Sequence, residues 1–160
     1  MKKIICTLII IITFTHNSFS AGTSSSSTGS SNYTKAYNLV KSAKKYEKKG
    51  KTDKAQKRYK KAQEILLKLN KQKPLQADTL NYLGFTTRKL GDYIKGEEFY
   101  LQGLKIEPKH VGINEYLGEL YVVTKRIDKA KERLEVLKDC ECKEYNELKE
   151  VIEGTKKSKY

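Results

Sequence analysis

Hydrophobic and polar positions in the middle of this chain recur with two periods at once. Within "NYLGFTTRKLGDYIKGEEFYLQGLKIEP" (residues 81–108) and "NEYLGELYVVTKRIDKAKERLEVLKD" (114–139), large apolar side chains return every three or four residues, the signature of one helical face. The two stretches also align with each other at a spacing of 34 residues: Leu83 with Leu117, Gly84 with Gly118, Tyr93 with Ile127, Gly96 with Ala130, and Tyr100 with Leu134. Each therefore predicts an amphipathic helix of about four turns, a short break and a second helix. Asp92 stands where it can cap the second helix of the first copy, and Pro108 lies just past its end, where a helix must stop. A weaker copy lies upstream, with Ala43 at the glycine position and Tyr46, Gly50, Ala55, Tyr59 and Ala62 keeping the pattern. Ala36 to Ala77 spans 41 residues, however, and the seven surplus residues fall between Ala62 and Pro74. Seven residues make two turns, so the helix lengthens without rotating its faces. Ala55, Tyr59, Ala62, Leu66 and Leu69 carry one apolar stripe through the extension, which should project about 10 Å beyond its neighbours. The last segment, "CKEYNELKEVIEG", places Tyr145, Leu148, Val151 and Ile152 on one face with acids opposite, and predicts a closing helix.

In these residues the chain resembles the tetratricopeptide repeat (TPR) family. The resemblance rests on Leu83-Gly84 and Leu117-Gly118, on small residues at the start of each second helix (Gly96, Ala130), on a large residue one turn later, and on the closing Pro108. Small residues let the two helices of a unit cross closely, while large ones fill the gap to the next unit. Across residues 33–153 the resemblance implies an all-α fold: a right-handed superhelical array of three helix pairs, with units at about 36–74, 77–110 and 111–142 and a capping helix over 143–153. Departures are Gly96 and Gly103 where alanine is commoner, Lys125 where a turn glycine is expected, and no proline closing the third copy. Glycines inside helices cost up to about 1 kcal/mol each.

The ends of the chain read differently. Lys2 and Lys3 precede the uncharged run "IICTLIIIITF", and small and polar residues follow it, the layout of a secretory signal peptide over residues 1–20 cleaved after Ser20. The run is shorter than the roughly 20 residues a spanning helix needs; an uncleaved anchor is the alternative. Export to a periplasm or cell envelope is the expected localisation. Residues 21–32, "AGTSSSSTGSSN", have no apolar side chain larger than alanine and read as a flexible linker. Residues 154–160 read as a polar, frayed tail.

Charge changes the picture next. The formal net charge is +14, yet residues 33–74 hold 15 Lys or Arg against 3 acids, whereas residues 75–160 hold 16 of each. The excess thus belongs to the first unit, as either a solvated lysine-rich face or a surface that docks on anionic lipid or cell-wall polymer. Lysine outnumbers arginine 29 to 4, which argues against nucleic acid, whose recognition favours arginine.

Chemistry is sparse. Beyond the signal segment the one histidine is His110, after Pro108-Lys109 at a helix start, where it reads as a turn residue. There is no phosphate loop, metal-binding histidine spacing or nucleophile elbow, so neither enzyme activity nor a cofactor or metal is expected. The TPR resemblance instead implies a peptide or partner helix held in a concave groove formed by the first helix of each unit. That groove would be lined by Tyr37, Val40, Lys44 and Lys48, then Asn81, Phe85 and Arg88, then Glu115, Glu119 and Val122. Some members of the family hold a chaperone's terminal carboxylate with basic groove residues; Glu115 and Glu119 would repel it here. A graded surface, basic at the first unit and acidic at the third, suits a ligand of mixed charge, although Arg88 and Glu119 could instead pair with each other. Ile65, Leu66, Leu67 and Leu69 form an apolar cluster on the extended helix, a candidate for self-association.

Cys140 and Cys142 flank Glu141 at the corner before the closing helix. In an oxidising compartment this pair reads as a disulfide clip standing in for the missing proline, and a thiol-exchange or metal-handling site is the alternative.

Overall fold

The computed structural model describes residues 25–158, so the signal-peptide reading of residues 1–20 lies outside the described residues. Seven α-helices follow one another: α1 (Ser25–Lys48), α2 (Thr52–Gln72), α3 (Ala77–Lys89), α4 (Tyr93–Ile106), α5 (Val111–Val123), α6 (Ile127–Val136) and α7 (Lys143–Ile152). Helices α1 and α2, α3 and α4, and α5 and α6 pack as hairpins; α2 and α4 join successive hairpins through α3 and α5, and α7 lies against α5 and α6. This is the all-α helical repeat array that the two periods predict.

The corner inside each hairpin is the same object three times. Gly50 N–H donates to the Glu47 carbonyl and Lys51 N–H to the Tyr46 carbonyl; Gly91 and Asp92 repeat this on Arg88 and Thr87, and Lys125 and Arg126 on Val122 and Tyr121. These paired bonds close a helix through a residue in the left-handed region, with φ of 67° at Gly50, 100° at Gly91 and 60° at Lys125. Lys125 thus holds a conformation that glycine adopts without strain. Lys125→Gly is expected to stabilise the domain by up to about 1 kcal/mol after the added freedom of the unfolded chain is subtracted; a lower thermal midpoint would refute it. The predicted stops and starts are also present: Asp92 accepts from Lys95 N–H at 2.9 Å, and Pro108 follows the end of α4.

Gly84 and Gly118 admit large side chains where the helices approach. A Cβ on Gly84 would lie 2.5 Å from the Tyr100 ring, and one on Gly118 2.5 Å from Leu148. The second plug comes from α7 and not from Leu134, the residue in register with Tyr100. Leu134 is half-exposed on a short α6 whose only buried residue is Ala130. The closing helix therefore completes the third unit as well as covering it.

Two expectations about the first unit change. Helix α1 starts at Ser25, inside the stretch read as a linker, so residues 25–32 are helical. Serine and glycine have weak helix propensity, but extending a helix already fixed by packing needs no new nucleus. The α2 extension does not stand alone, because α1 runs beside it. Leu66 and Leu69 are buried with Ala36, Leu80, Leu83 and Phe99, Ile65 packs against them, and only Leu67 stays exposed. The four-residue self-association patch is not present as an exposed cluster.

One polar link ties the second and third units together. Arg126 donates to both carboxylate oxygens of Glu97, at 2.9 and 2.7 Å. Burial disfavours the Glu97 carboxylate, but the hydrogen bonds and charge of Arg126 outweigh it and hold the group below its ordinary range. A depressed carboxyl contributes stability above the unfolded value and loses it as pH falls. Glu97→Gln should cost about 0.5–1 kcal/mol near neutrality. The difference from the parent chain should close as pH falls through and below the ordinary carboxylate range, read by thermal melts across pH.

Candidate functional site: the concave side of the array

Rings from α2, α3 and α5 form one seam. Tyr59 lies edge-on to Phe85 with centroids 5.9 Å apart, and Phe85 is tilted against Tyr116 at 5.0 Å. Lys44 reaches over this seam from α1. Its ammonium sits 4.3 Å from the Phe85 centroid and donates to the Tyr116 hydroxyl at 2.8 Å. The ammonium thus has two electron-rich rings and one hydroxyl as partners. Burial pushes the Tyr116 hydroxyl well above the ordinary tyrosine range, so it stays a neutral partner at physiological pH.

Beneath the seam lies a buried charge pair. Arg88 and Glu119 are both without side-chain exposure and approach to 3.8 Å, and Arg88 donates to the Tyr116 carbonyl at 2.7 Å. Burial lowers the guanidinium to about 10, with Tyr100, Glu119 and Tyr116 resisting the shift; Arg88 thus remains a cation at neutral pH. Its guanidinium also lies 5.5 Å from the centroids of both Phe85 and Tyr116 and 5.7 Å from that of Tyr100. It is a staple between the second and third units, because large residues at this crossing leave no room for solvent.

The ten residues expected to line an open groove are accordingly divided. Tyr37 and Lys48 are exposed and Lys44 and Val122 are partly so, but Val40, Asn81, Phe85, Arg88, Glu115 and Glu119 are buried. Tyr37 packs edge-on against Tyr82 at 5.6 Å and Tyr33 does the same at 6.0 Å, forming a separate tyrosine cluster nearer the start of the array. The trough is filled along its floor, and the open part is a cavity of about 800 Å³ at one end.

Lys44, Glu47 and Lys48 form one wall of that cavity, Phe85, Glu115 and Tyr116 its floor, and Lys143, Glu144 and Glu147 of α7 the opposite wall. The segment Lys156-Lys157-Ser158 completes it. Sequence reasoning assigned α7 to capping and residues 154–160 to a frayed tail, and so missed these contributions. The available signal was Gly154, which has φ of 73° and ends α7 with the same paired bonds as the hairpin corners: Gly154 N–H to the Val151 carbonyl and Thr155 N–H to that of Glu150. Such an end turns the chain back over the domain.

Glu47 is held from the side by Tyr59, whose hydroxyl donates to it at 3.0 Å, and by a short ion pair with Lys89. His110 accepts Ile113 N–H on Nδ1 at 3.1 Å, so Nε2 carries the hydrogen that faces Asp78 at 3.2 Å. It is a helix cap, as its position in the sequence suggests. Among the described residues no cluster of His, Cys, Asp and Glu is arranged to hold a metal ion.

Cys140 and Cys142 are bonded, with Cα atoms 5.1 Å apart, within the span a disulfide accepts. The bond closes the corner between α6 and α7 around Glu141, whose φ is 49°. A loop this small contributes about 1.6 kcal/mol at most from chain entropy. Changing both cysteines to serine should lower stability by no more than that; a loss of the fold would show that the clip holds more than a corner.

No family model matches the chain, and no curated protein matches it. Among solved structures, the chain is similar to the first TPR of Spaghetti (RPAP3) bound to an HSP90 peptide, SRMEEVD, at 20% identity, over 77% of this chain and 94% of that one, with a TM-score of 0.47.

Proposed function

We propose that this chain is a non-catalytic interaction module that holds an extended peptide or a partner helix on its concave side, in the periplasm or cell envelope. The observation that carries the reading is the cavity between α1 and α7. Its volume of about 800 Å³ falls in the range of ligand sites. Its floor combines two aromatic rings with Glu115, and its walls carry both signs of charge. That combination suits a segment anchored by one apolar or aliphatic stem and oriented by flanking charges. Selection of binders from a randomised peptide library, followed by NMR shift mapping on the chain, tests it. Perturbations should centre on Lys44, Phe85, Glu115 and Tyr116. Binders that shift only the outer faces of α2 and α4, or no binders at all, would remove the reading.

A second reading has its own support. Lys54, Lys57, Lys60, Lys61, Lys68 and Lys71 are exposed on the side of α2 opposite its buried stripe, and none enters an ion pair among the described residues. An unneutralised face of this kind would dock electrostatically on anionic lipid or cell-wall polymer. Salt separates the two: docking weakens steeply as ionic strength rises, whereas a groove with apolar anchors holds. A thiol-exchange role for Cys140 and Cys142 is the third reading, and it requires the pair to be found reduced in the cell.

A further inference from the structure

One side of the concave cavity is closed by residues 156–158 of the chain itself. After the turn at Gly154, residues 155–158 run back across the open end, tied by Thr155 Oγ1 to the Glu150 carbonyl at 3.1 Å and by Lys156 to the Glu150 carboxylate at 3.1 Å. Ser158 then reaches the floor, where its hydroxyl donates to Glu119 Oε2 at 3.4 Å. Lys157 lies between them on the cavity wall. Glu119 has no side-chain exposure and is the partner of Arg88, so the serine touches a charge that the rest of the fold has enclosed.

The surroundings of this segment carry a slight excess of acidic groups. Apart from the segment itself, Glu47, Glu115, Glu144 and Glu147 line the cavity against Lys44, Lys48 and Lys143. Lysines Lys44 and Lys48 stand on the far wall, and Lys44 is committed to the rings of Phe85 and Tyr116. A segment reading Lys-Lys-Ser therefore shares its cavity with four carboxylates and sets its serine on a hydrogen-bond acceptor. Charges gathered around a cavity discriminate by sign more than they add affinity.

From this arrangement we infer that the groove selects an extended segment bearing adjacent lysines followed by a hydroxyl residue, and that the chain's own residues 156–158, which cover one side of the cavity, act as a tethered competitor until such a partner arrives. The inference rests on the concave-groove reading above and adds to it the chemistry of the ligand and a resting state. A tethered segment a few residues long acts at an effective concentration in the millimolar range. A partner must therefore exceed that competition, and weakening the internal segment should raise apparent affinity for any free peptide of the same kind.

The probe is a fluorescein-labelled peptide, Thr-Lys-Lys-Ser-Lys-Tyr, followed by anisotropy against the full chain. Lys156→Glu/Lys157→Glu, which repels the internal segment from the acidic wall, should bind the probe at least tenfold more tightly than the parent chain. Adding Glu144→Lys/Glu147→Lys should cancel that gain, with circular dichroism confirming that each variant keeps its helices. Unchanged affinity in the first variant, or a gain that survives the second, would overturn the inference. An acidic counterpart, Thr-Glu-Glu-Ser-Glu-Tyr, and an apolar hexapeptide run in parallel. If either of these binds with shifts at Phe85 and Tyr116 while the lysine probe does not, the lysine preference falls and the groove reading stands. If none of the three binds any variant, both fall together.

Discussion

Arg88→Leu is expected to destabilise the domain by about 3–5 kcal/mol, the cost of leaving one member of a buried charge pair without the other. The change keeps much of the aliphatic volume, so the loss is electrostatic: Glu119, fully enclosed, loses its guanidinium partner. For a domain of this size that corresponds to a fall in melting temperature on the order of 10–20 °C. The double change Arg88→Leu/Glu119→Leu should recover most of the loss, because two apolar side chains of similar volume replace a charge pair whose own net contribution is small. A single variant as stable as the parent chain would mean that water reaches Glu119 in solution. A double variant no better than the single would mean that Arg88 contributes through its stacking on Phe85, Tyr116 and Tyr100.

Phe85→Ala should lose a comparable amount, about 3–5 kcal/mol, for a different reason. The ring is fully buried, lies between Tyr59 and Tyr116, and supports the Lys44 ammonium 4.3 Å above its centroid. Removing it opens a hole between three units and takes away one face of the site of Lys44. Phe85→Leu, which keeps the volume, should cost less than about 1.5 kcal/mol. If chemical denaturation shows alanine and leucine to be equally tolerated, the seam is not the packing centre assigned to it.

The helix pairs, their phase and the small residues at their crossings were legible in the sequence because the same spacing appears twice, and one period supports the other. Leu83-Gly84 and Leu117-Gly118 even locate the close approaches. What the spacing could not say is which helix supplies the plug: Gly118 receives Leu148 from α7, two helices away, while Leu134 at the matching position stays half-exposed. The site was less legible for a related reason. Reading one face of each inner helix as a groove assumes that the face remains open, and in a three-unit array with Phe, Tyr and Arg at the crossings those side chains reach each other first. The Arg88–Glu119 pairing was visible as an option, since both lie on facing helices, but burial decided it. The contribution of residues 155–158 was hidden because their composition, all polar, says nothing about where a chain turned by Gly154 will lie. The Ile65–Leu69 cluster was misjudged through α1: a serine-rich stretch gave no reason to expect a partner helix alongside it.

The pairing of α1 and α2 with α3 has a consequence in time. Leu66 and Leu69 find Leu80, Leu83 and Phe99, all of which follow them in the chain. During synthesis at about 5–20 residues per second, the first hairpin waits on the order of one to five seconds before those side chains have been made. Throughout that interval it presents an apolar stripe with no cover. The same hairpin carries nearly all of the chain's excess positive charge, and mutual repulsion between copies would keep growing chains apart until the stripe closes.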